Sequence, residues 1–404
     1  MPGPLDGVRV LDLTSVVLGP LATQTMGDLG ADVIKIEAPA GDTTRYTGPK
    51  RSDDMAALFM GLNRNKRSIV LDLKQPSARD ALWKLIDGAD VFIHSIRPRA
   101  IARLGFGHED VLARNGRVIY AGVHGYGSRG PYTGQPAYDD VIQGQSGSAD
   151  LMARLTGEPR YMPTIMADKT CALVAAYSIM AALYEREKSG RGQFIEIPMF
   201  ETMTAFNMAE HLFGHCFEPP EGPMGYSRVL APWRRPYATR DGHVCMLAYT
   251  DEQWRRFWTE VDRPELISDP RFDSLSNRSD NIEELYRIAG QCLADRTTKD
   301  WLERLGRLDI PSAPIAALEE LAEDEHLKAI GFFQRTDHPT EGKIVMPDVP
   351  VRFDRTAGAI DRLQPKLGQH SLEILHELGL GEDEIKDMFV DGASLDGATG
   401  ATNS

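Results

Sequence analysis

The chain has 404 residues, of which 42% are hydrophobic and 26% charged, and its formal net charge is −14. A chain of that size buries a large core spread over two or three domains, and the composition is that of a globular, soluble protein. The acidic balance argues against a nucleic-acid binder, whose affinity comes from cations on phosphates, but a local cluster of Arg and Lys still suits a small anionic ligand.

In chain order, the first segment has a βαβ rhythm. Val8–Leu13 is a short apolar run suited to a buried parallel strand, and the loop Thr14–Pro20 follows it. Leu21–Leu29 reads as a helix stopped by Gly30, and Asp32–Glu37 as a second strand. Further strands are expected at Ser68–Leu73, Asp90–His94 and Gly116–Gly122, with a helix near Ser77–Asp87. A long helix is expected from about Thr164 to Lys188, closed by Gly190-Arg-Gly192. A strand at Phe194–Pro198 and a second helix reaching about Phe217 follow. Strands alternating with helices imply a Rossmann-like, mostly parallel sheet in a large α/β domain.

The Pro/Gly cluster Glu218–Gly225 reads as a linker. Beyond it, a hairpin signal at Arg240-Asp-Gly242 and amphipathic helices rich in Trp and Arg suggest a smaller α+β domain. The division expected is therefore 1–217 as the first part of the large domain, 218–330 as the small domain with its linkers, and 331–404 as a return to the large domain with a C-terminal tail. A helix is expected at Ser371–Leu378, and the small polar residues Asp391–Ser404 read as disordered.

Cys171, Cys216, Cys245 and Cys292 lie far apart without a C-x-x-C pair, which argues against a disulfide framework or a zinc site. No secretory signal is visible at the N-terminus, and no apolar run approaches membrane-spanning length. A reducing cytoplasm and no membrane association are the expectation.

The loop after the first strand is where a doubly wound fold binds its ligand. Glu37, at the end of the second strand, suits a ribose-binding acid. The loop has Gly19 alone before its helix, however, and without G-x-G-x-x-G a dinucleotide-dependent dehydrogenase is not supported.

The motifs Leu5–Thr14, Gly19-Pro20, Asp28–Glu37, Gly41–Arg45 and Asn63–Ile69 resemble the N-terminal signature of the family III CoA-transferases. The likeness continues through Arg97-Pro98, Gly125-Tyr-Gly127, Tyr138-Asp139, Ala167-Asp168, Gly190–Gln193 and Leu367–His370, nearly the whole chain in order. The resemblance implies an interlocked homodimer, acyl-CoA and carboxylic acid as substrates, and neither a metal nor a permanently bound cofactor. In that family the nucleophile is an aspartate before a long helix, and Asp168 matches it. A carboxylate there attacks an acyl-CoA thioester to give a mixed anhydride, then an aspartyl-CoA thioester, and the acceptor acid reverses the steps. The structural alternative for Asp168 is a helix N-cap, a position that favours Asp.

Lys74, Arg97 and Arg103 align with family positions contacting CoA, and Val17 and Leu18 with the loop facing the thioester. For any one of the basic residues the alternative is a solvated surface charge. Three departures accompany the likeness. Val17 stands where formyl-CoA transferase has Gln, Ala38 where it has Arg, and Ala172 where the family commonly has Gly. The Ala172 methyl is expected to crowd the thioester or slightly reshape the pocket. Cys171 reads as helix core. No run of glycines appears between Glu218 and Ala248; Arg234 or Arg235 there suits the second carboxylate of a larger acid, or else a structural salt bridge.

The function expected is transfer of CoA from an acyl-CoA, with succinyl-CoA the donor in view, to a dicarboxylic or branched acid. One alternative is a 2-methylacyl-CoA racemase of the same fold, whose pattern has His at the position of Tyr138; tyrosine is too weak a base to replace it. The other is a non-catalytic CoA-binding protein. His124, outside the aligned position, reads as a packed or surface histidine.

Overall fold

The computed structural model describes residues 2–398. The chain divides into two compact units. The first takes the described residues up to Ser146, Met162–Ala205 and those from Lys328 onward, and the second takes Gly147–Tyr161 and Phe206–Leu327.

The first unit is built on six strands: β1 Arg9–Leu13, β2 Asp32–Glu37, β3 Lys66–Val70, β4 Val91–His94, β5 Ile119–His124 and β6 Gln193–Pro198. All pair in parallel, in the order β3-β2-β1-β4-β5-β6. This is the doubly wound order that the βαβ rhythm implies, and the winding changes sense between β1 and β4. Helices cover both faces. Leu18–Asp28 (α1) and the long helix Met166–Ser189 share one apolar cluster with Val10, Val33, Val91 and Ile119. On the other face Pro76–Asp87, Ser371–Glu377 and Glu382–Val390 enclose Leu11, Ile34, Phe92 and Tyr120.

The differences from the sequence reading have identifiable causes. β3 begins at Lys66, two residues before the expected start, because Lys66, Arg67 and Ser68 are buried in spite of their polarity. α1 starts at Leu18 because Pro20 sits in its first turn, where a missing N–H costs nothing. The long helix is, by length and composition, apolar enough to cross a membrane, which corrects the expectation that no segment is. Its apolar residues Cys171, Ala175 and Ile179 are spent in the core. The tail is also corrected in part. The Asp72 amide donates to Ala393, Ser394 Oγ to Val70 and the Gly397 amide to Gly368, so residues 391–398 are tied to the large unit. The remainder of that call, 399–404, lies outside the described residues.

A network of buried charges lies under the β1 and β2 ends. Lys66 Nζ meets Asp12 at 3.0 Å and Lys35 Nζ meets Asp42 at 3.0 Å, each side chain at most 1% exposed. Arg45 grips Glu37 through two bonds of 2.8 and 2.7 Å and lies over the Phe59 ring. Burial raises the Asp12 carboxyl, but Lys66, Lys35 and the hydroxyls of Thr14 and Thr23 outweigh it, holding Asp12 well below the usual carboxylate range. Burial pulls Lys66 down to about 8 against the attraction of Asp12.

The second unit carries the three-stranded antiparallel sheet β7 Tyr237–Ala238, β8 His243–Met246 and β9 Ser312–Pro314. The expected hairpin is present, closed by the Thr239 amide on Gly242 at 2.9 Å. Trp254, Phe257, Trp258 and Trp301, from Asp251–Glu260 and Thr298–Arg307, fill its core. A last hairpin, β10 Phe333–His338 with β11 Gly342–Pro347, belongs to the first unit.

Asp12→Ala leaves the buried ammonium of Lys66 without its carboxylate, and the expected loss in denaturant unfolding is about 3–5 kcal/mol. An unchanged midpoint would show that the network does not hold the fold.

Candidate functional site

The divergence of β1 and β4 opens a cavity of about 210 Å³ at the carboxyl ends of the strands. It is smaller than the ~300–1,000 Å³ that encloses a whole drug-sized ligand, so it suits the reacting end of a larger molecule. Ser15–Gly19 after β1, Ser95 and Arg97 after β4, His124 and Tyr126 after β5, and Asp168 line it.

The wall after β1 is held in an unusual shape. Val16 has φ +72°, a left-handed conformation that β-branched residues avoid. Its amide donates to Asp42 Oδ1 at 3.2 Å, and the other oxygen of that carboxylate takes Lys35 Nζ. Lys35 Nζ also reaches the Thr14 carbonyl at 3.0 Å. The Ser15 amide crosses to Ser95 Oγ at 3.2 Å, joining the two loops. Gly19 is required by proximity, since a Cβ there would lie 2.2 Å from the Thr14 Cβ. Thr14 cannot yield, because both its amide and its hydroxyl bond Asp12 Oδ1. The loop therefore delivers the start of α1 to the cavity, where the amides of Leu18 and Gly19 have no carbonyl four residues back within the helix.

Asp168 lies in the first turn of Met166–Ser189, 8% exposed, and is not its N-cap. The cap position is Ile165, without a capping side chain. The capping role passes to Asp139, whose Oδ1 accepts the Asp168 amide at 3.0 Å while Oδ2 accepts Gln143 Nε2 at 2.6 Å. Gln143 in turn accepts the Met162 amide at 2.9 Å. The Asp168 carboxylate is thus not spent on the helix end, which overturns the capping alternative. Burial, and then the charge of Asp139, push its carboxyl up to about 7.

Of the residues expected from sequence, Val17, Leu18, Arg97, Tyr138 and Asp168 share this cavity. Lys74, four residues past β3, and Arg103, in the helix Pro98–Arg103, are exposed and do not line it. Ala172 is fully buried in the core and is not among the residues that line the cavity. Cys171 is helix core as expected, and burial, with Asp168 and Asp139 adding to it, raises its thiol to about 12. Arg234 and Arg235 belong to the second unit and have no carboxylate within ion-pair distance among the described residues, so the salt-bridge alternative finds no partner. Sequence reading missed Asp139 as the cap and Asp42 as the loop anchor. Both stand inside the quoted motifs, but their partners are 29 and 26 residues away.

Comparison with known proteins places these features in a family. The profile of CoA-transferase family III matches residues 5–371. The chain is 32% identical to succinyl-CoA:glutarate CoA-transferase of Mus musculus over 394 residues, covering 96% of this chain and 90% of that one. It is 29% identical to formyl-CoA:oxalate CoA-transferase of Escherichia coli O6:H1 over 411 residues, covering 96% and 99%. Among solved structures, a CAIB/BAIF family protein from Brucella suis aligns with TM-score 0.78 at 30% identity, over 94% of this chain and all of that one. Rv3272 from Mycobacterium tuberculosis aligns with TM-score 0.81 at 29% identity, over 93% and 99%.

Two outcomes follow from the placing of Asp168. A carboxyl raised from 3.8 to about 7 favours the neutral fold, and that stability is lost as pH rises from about 4 through 7. Asp168→Asn should therefore be more stable than the parent at pH 8, by at most about 4 kcal/mol, with the difference shrinking towards pH 4; Tm measured across that range checks it. Asp139→Asn keeps an oxygen to accept the Asp168 amide but removes the charge. It should move the Asp168 titration below 7, read from the pH dependence of carbodiimide modification at Asp168.

Proposed function

The chain belongs to CoA-transferase family III and is a CoA-transferase, and we propose that it moves coenzyme A between carboxylic acids through the Asp168 carboxylate. The observation that carries this reading is a buried carboxylate that lines the cavity and accepts no hydrogen bond among the described residues, its carboxyl pushed up to about 7 by burial and by Asp139. A raised pKa makes a stronger nucleophile and a poorer leaving group, matched here to reversible acyl exchange.

An Asp168 oxygen attacks the thioester carbonyl, the C–S bond breaks, and a mixed anhydride and CoA thiolate result. The thiolate attacks the aspartyl carbonyl, releases the donor acid and leaves an aspartyl-CoA thioester. The acceptor carboxylate attacks that carbonyl and expels thiolate, forming a second anhydride. Thiolate then attacks the acceptor's acyl carbon and frees Asp168, and no net proton is exchanged. The Leu18 and Gly19 amides at the start of α1 suit the oxyanion that forms at each addition. Arg97 at the rim, with Lys74 and Arg103 beyond it, suits the phosphates of the nucleotide end.

For the substrates, succinyl-CoA as donor and a dicarboxylic acid such as glutarate as acceptor are supported by the mouse relative. The racemase alternative needs a pair of bases at the cavity, and so a second one besides Asp168. Tyr138 is too weak, and His124 is engaged, with Nε2 on the Ile96 carbonyl at 3.1 Å and Nδ1 buried. We also propose the interlocked homodimer. Leu173, Tyr177 and Tyr184, all more than half exposed along Met166–Ser189, support a covered face there.

Asp168→Ala should lower kcat for succinyl-CoA:glutarate exchange by at least ~10³ while the protein stays folded, and a variant retaining parental kcat sinks the nucleophile. In the parent, kcat/KM should rise with pH to a plateau above about 7, as Asp168 ionises. Tyr177→Glu should shift the mass measured by light scattering from dimer towards monomer.

A further inference from the structure

The second unit contains a cavity of about 330 Å³ walled by Arg228, Arg234 and Arg235, with Tyr237, Tyr286 and Met246 among its other residues. Among the described residues, no carboxylate lines it. That is unusual within this unit, where Arg154, Arg255, Arg271, Arg278, Arg287 and Arg304 each sit on an acid within ion-pair distance. It is also unusual in a chain of net charge −14, where acidic partners are in excess. Three like charges around one hollow repel each other, and an anion seated between them removes that repulsion.

The cations are also oriented. Arg228 donates through Nε to the Tyr226 hydroxyl and through Nη1 to the Tyr286 hydroxyl, both at 3.3 Å, which fixes its plane while leaving donors over. Arg235 lies over the Trp233 ring at 4.3 Å, which restrains a side chain that is otherwise exposed. Tyr286, as acceptor from Arg228, keeps its own hydrogen to donate. Burial, with Tyr286 adding to it, holds the Tyr237 phenol above its ordinary value, so it too stays a donor. The hollow thus offers guanidinium and phenol donors with no fixed acceptor charge, and forked guanidinium groups match the paired oxygens of carboxylates and phosphates.

We infer that Arg228, Arg234 and Arg235 form an anion site in the second unit, for a ligand bearing two or more clustered oxygen acceptors: a dicarboxylate or a phosphate group. The inference takes only its choice of probes from the CoA-transferase reading; the site itself rests on the second unit alone.

Calorimetric titration of the full chain with glutarate, and separately with inorganic phosphate, tests it. Saturable binding of either anion is expected, weakened at least tenfold in Arg234→Gln/Arg235→Gln and less in Arg234→Lys/Arg235→Lys, which keeps charge but loses the fork. Whichever anion binds identifies the source, carboxylate or phosphate. The isotherm should persist in Asp168→Ala, so a failure of the nucleophile assignment leaves it untouched. Three results overturn the inference: neither anion saturates, the Gln variant binds as the parent does, or binding disappears in Asp168→Ala, which places the anion at the other cavity.

Discussion

The carboxylate of Asp42 is the fixed point on which the site depends. It is held by the buried ammonium of Lys35 and in turn holds the Val16 amide, keeping a β-branched residue in a conformation it would otherwise avoid. Such strain persists only where the surroundings over-determine it. Here they do: Lys35 also takes the Thr14 carbonyl, Thr14 is bound to Asp12, and Asp12 to Lys66. The strands β1, β2 and β3 are thereby linked through charge as well as through their ladders, and the loop carrying Val17 and Leu18 inherits its position from them.

A second constraint acts from the opposite wall. Asp139 caps the long helix from outside and leaves Asp168 in the first turn with its carboxylate unspent. One residue thus supplies both the geometry and part of the electrostatics, since its charge adds to burial in raising Asp168. Asp139, in the motif Tyr138-Asp139, thus bears on both the start of the helix and the charge around the Asp168 carboxyl. The helix that carries Asp168 buries Cys171, Ala172 and Ala175 in the core behind it.

The sheet was legible because its strands are buried on both faces, so apolar runs such as Val91–His94 stand out against the charged helices between them. β3 was read two residues late because Lys66, Arg67 and Ser68 look exposed to any argument from polarity, and only their distant partners Asp12, Asp32 and Glu37 explain their burial. Asp168 stands out in the sequence through the order of motifs along the chain, and it lines the cavity. Its relation to Asp139, 29 residues away, does not stand out, because capping from outside the helix has no local spacing to reveal it. The unpaired state of Arg234 and Arg235 was equally hidden. A sequence shows that acids are plentiful, but not which cations they reach.

The proposed exchange depends on acyl transfer to Asp168. Incubating the full chain with succinyl-CoA, quenching with hydroxylamine and mapping the peptides by mass spectrometry tests that step directly. The expected result is a hydroxamate at Asp168, absent without the acyl-CoA and absent in Asp168→Ala. An exchange-competent preparation that leaves Asp168 unmodified, or carries the label on another residue, would contradict it.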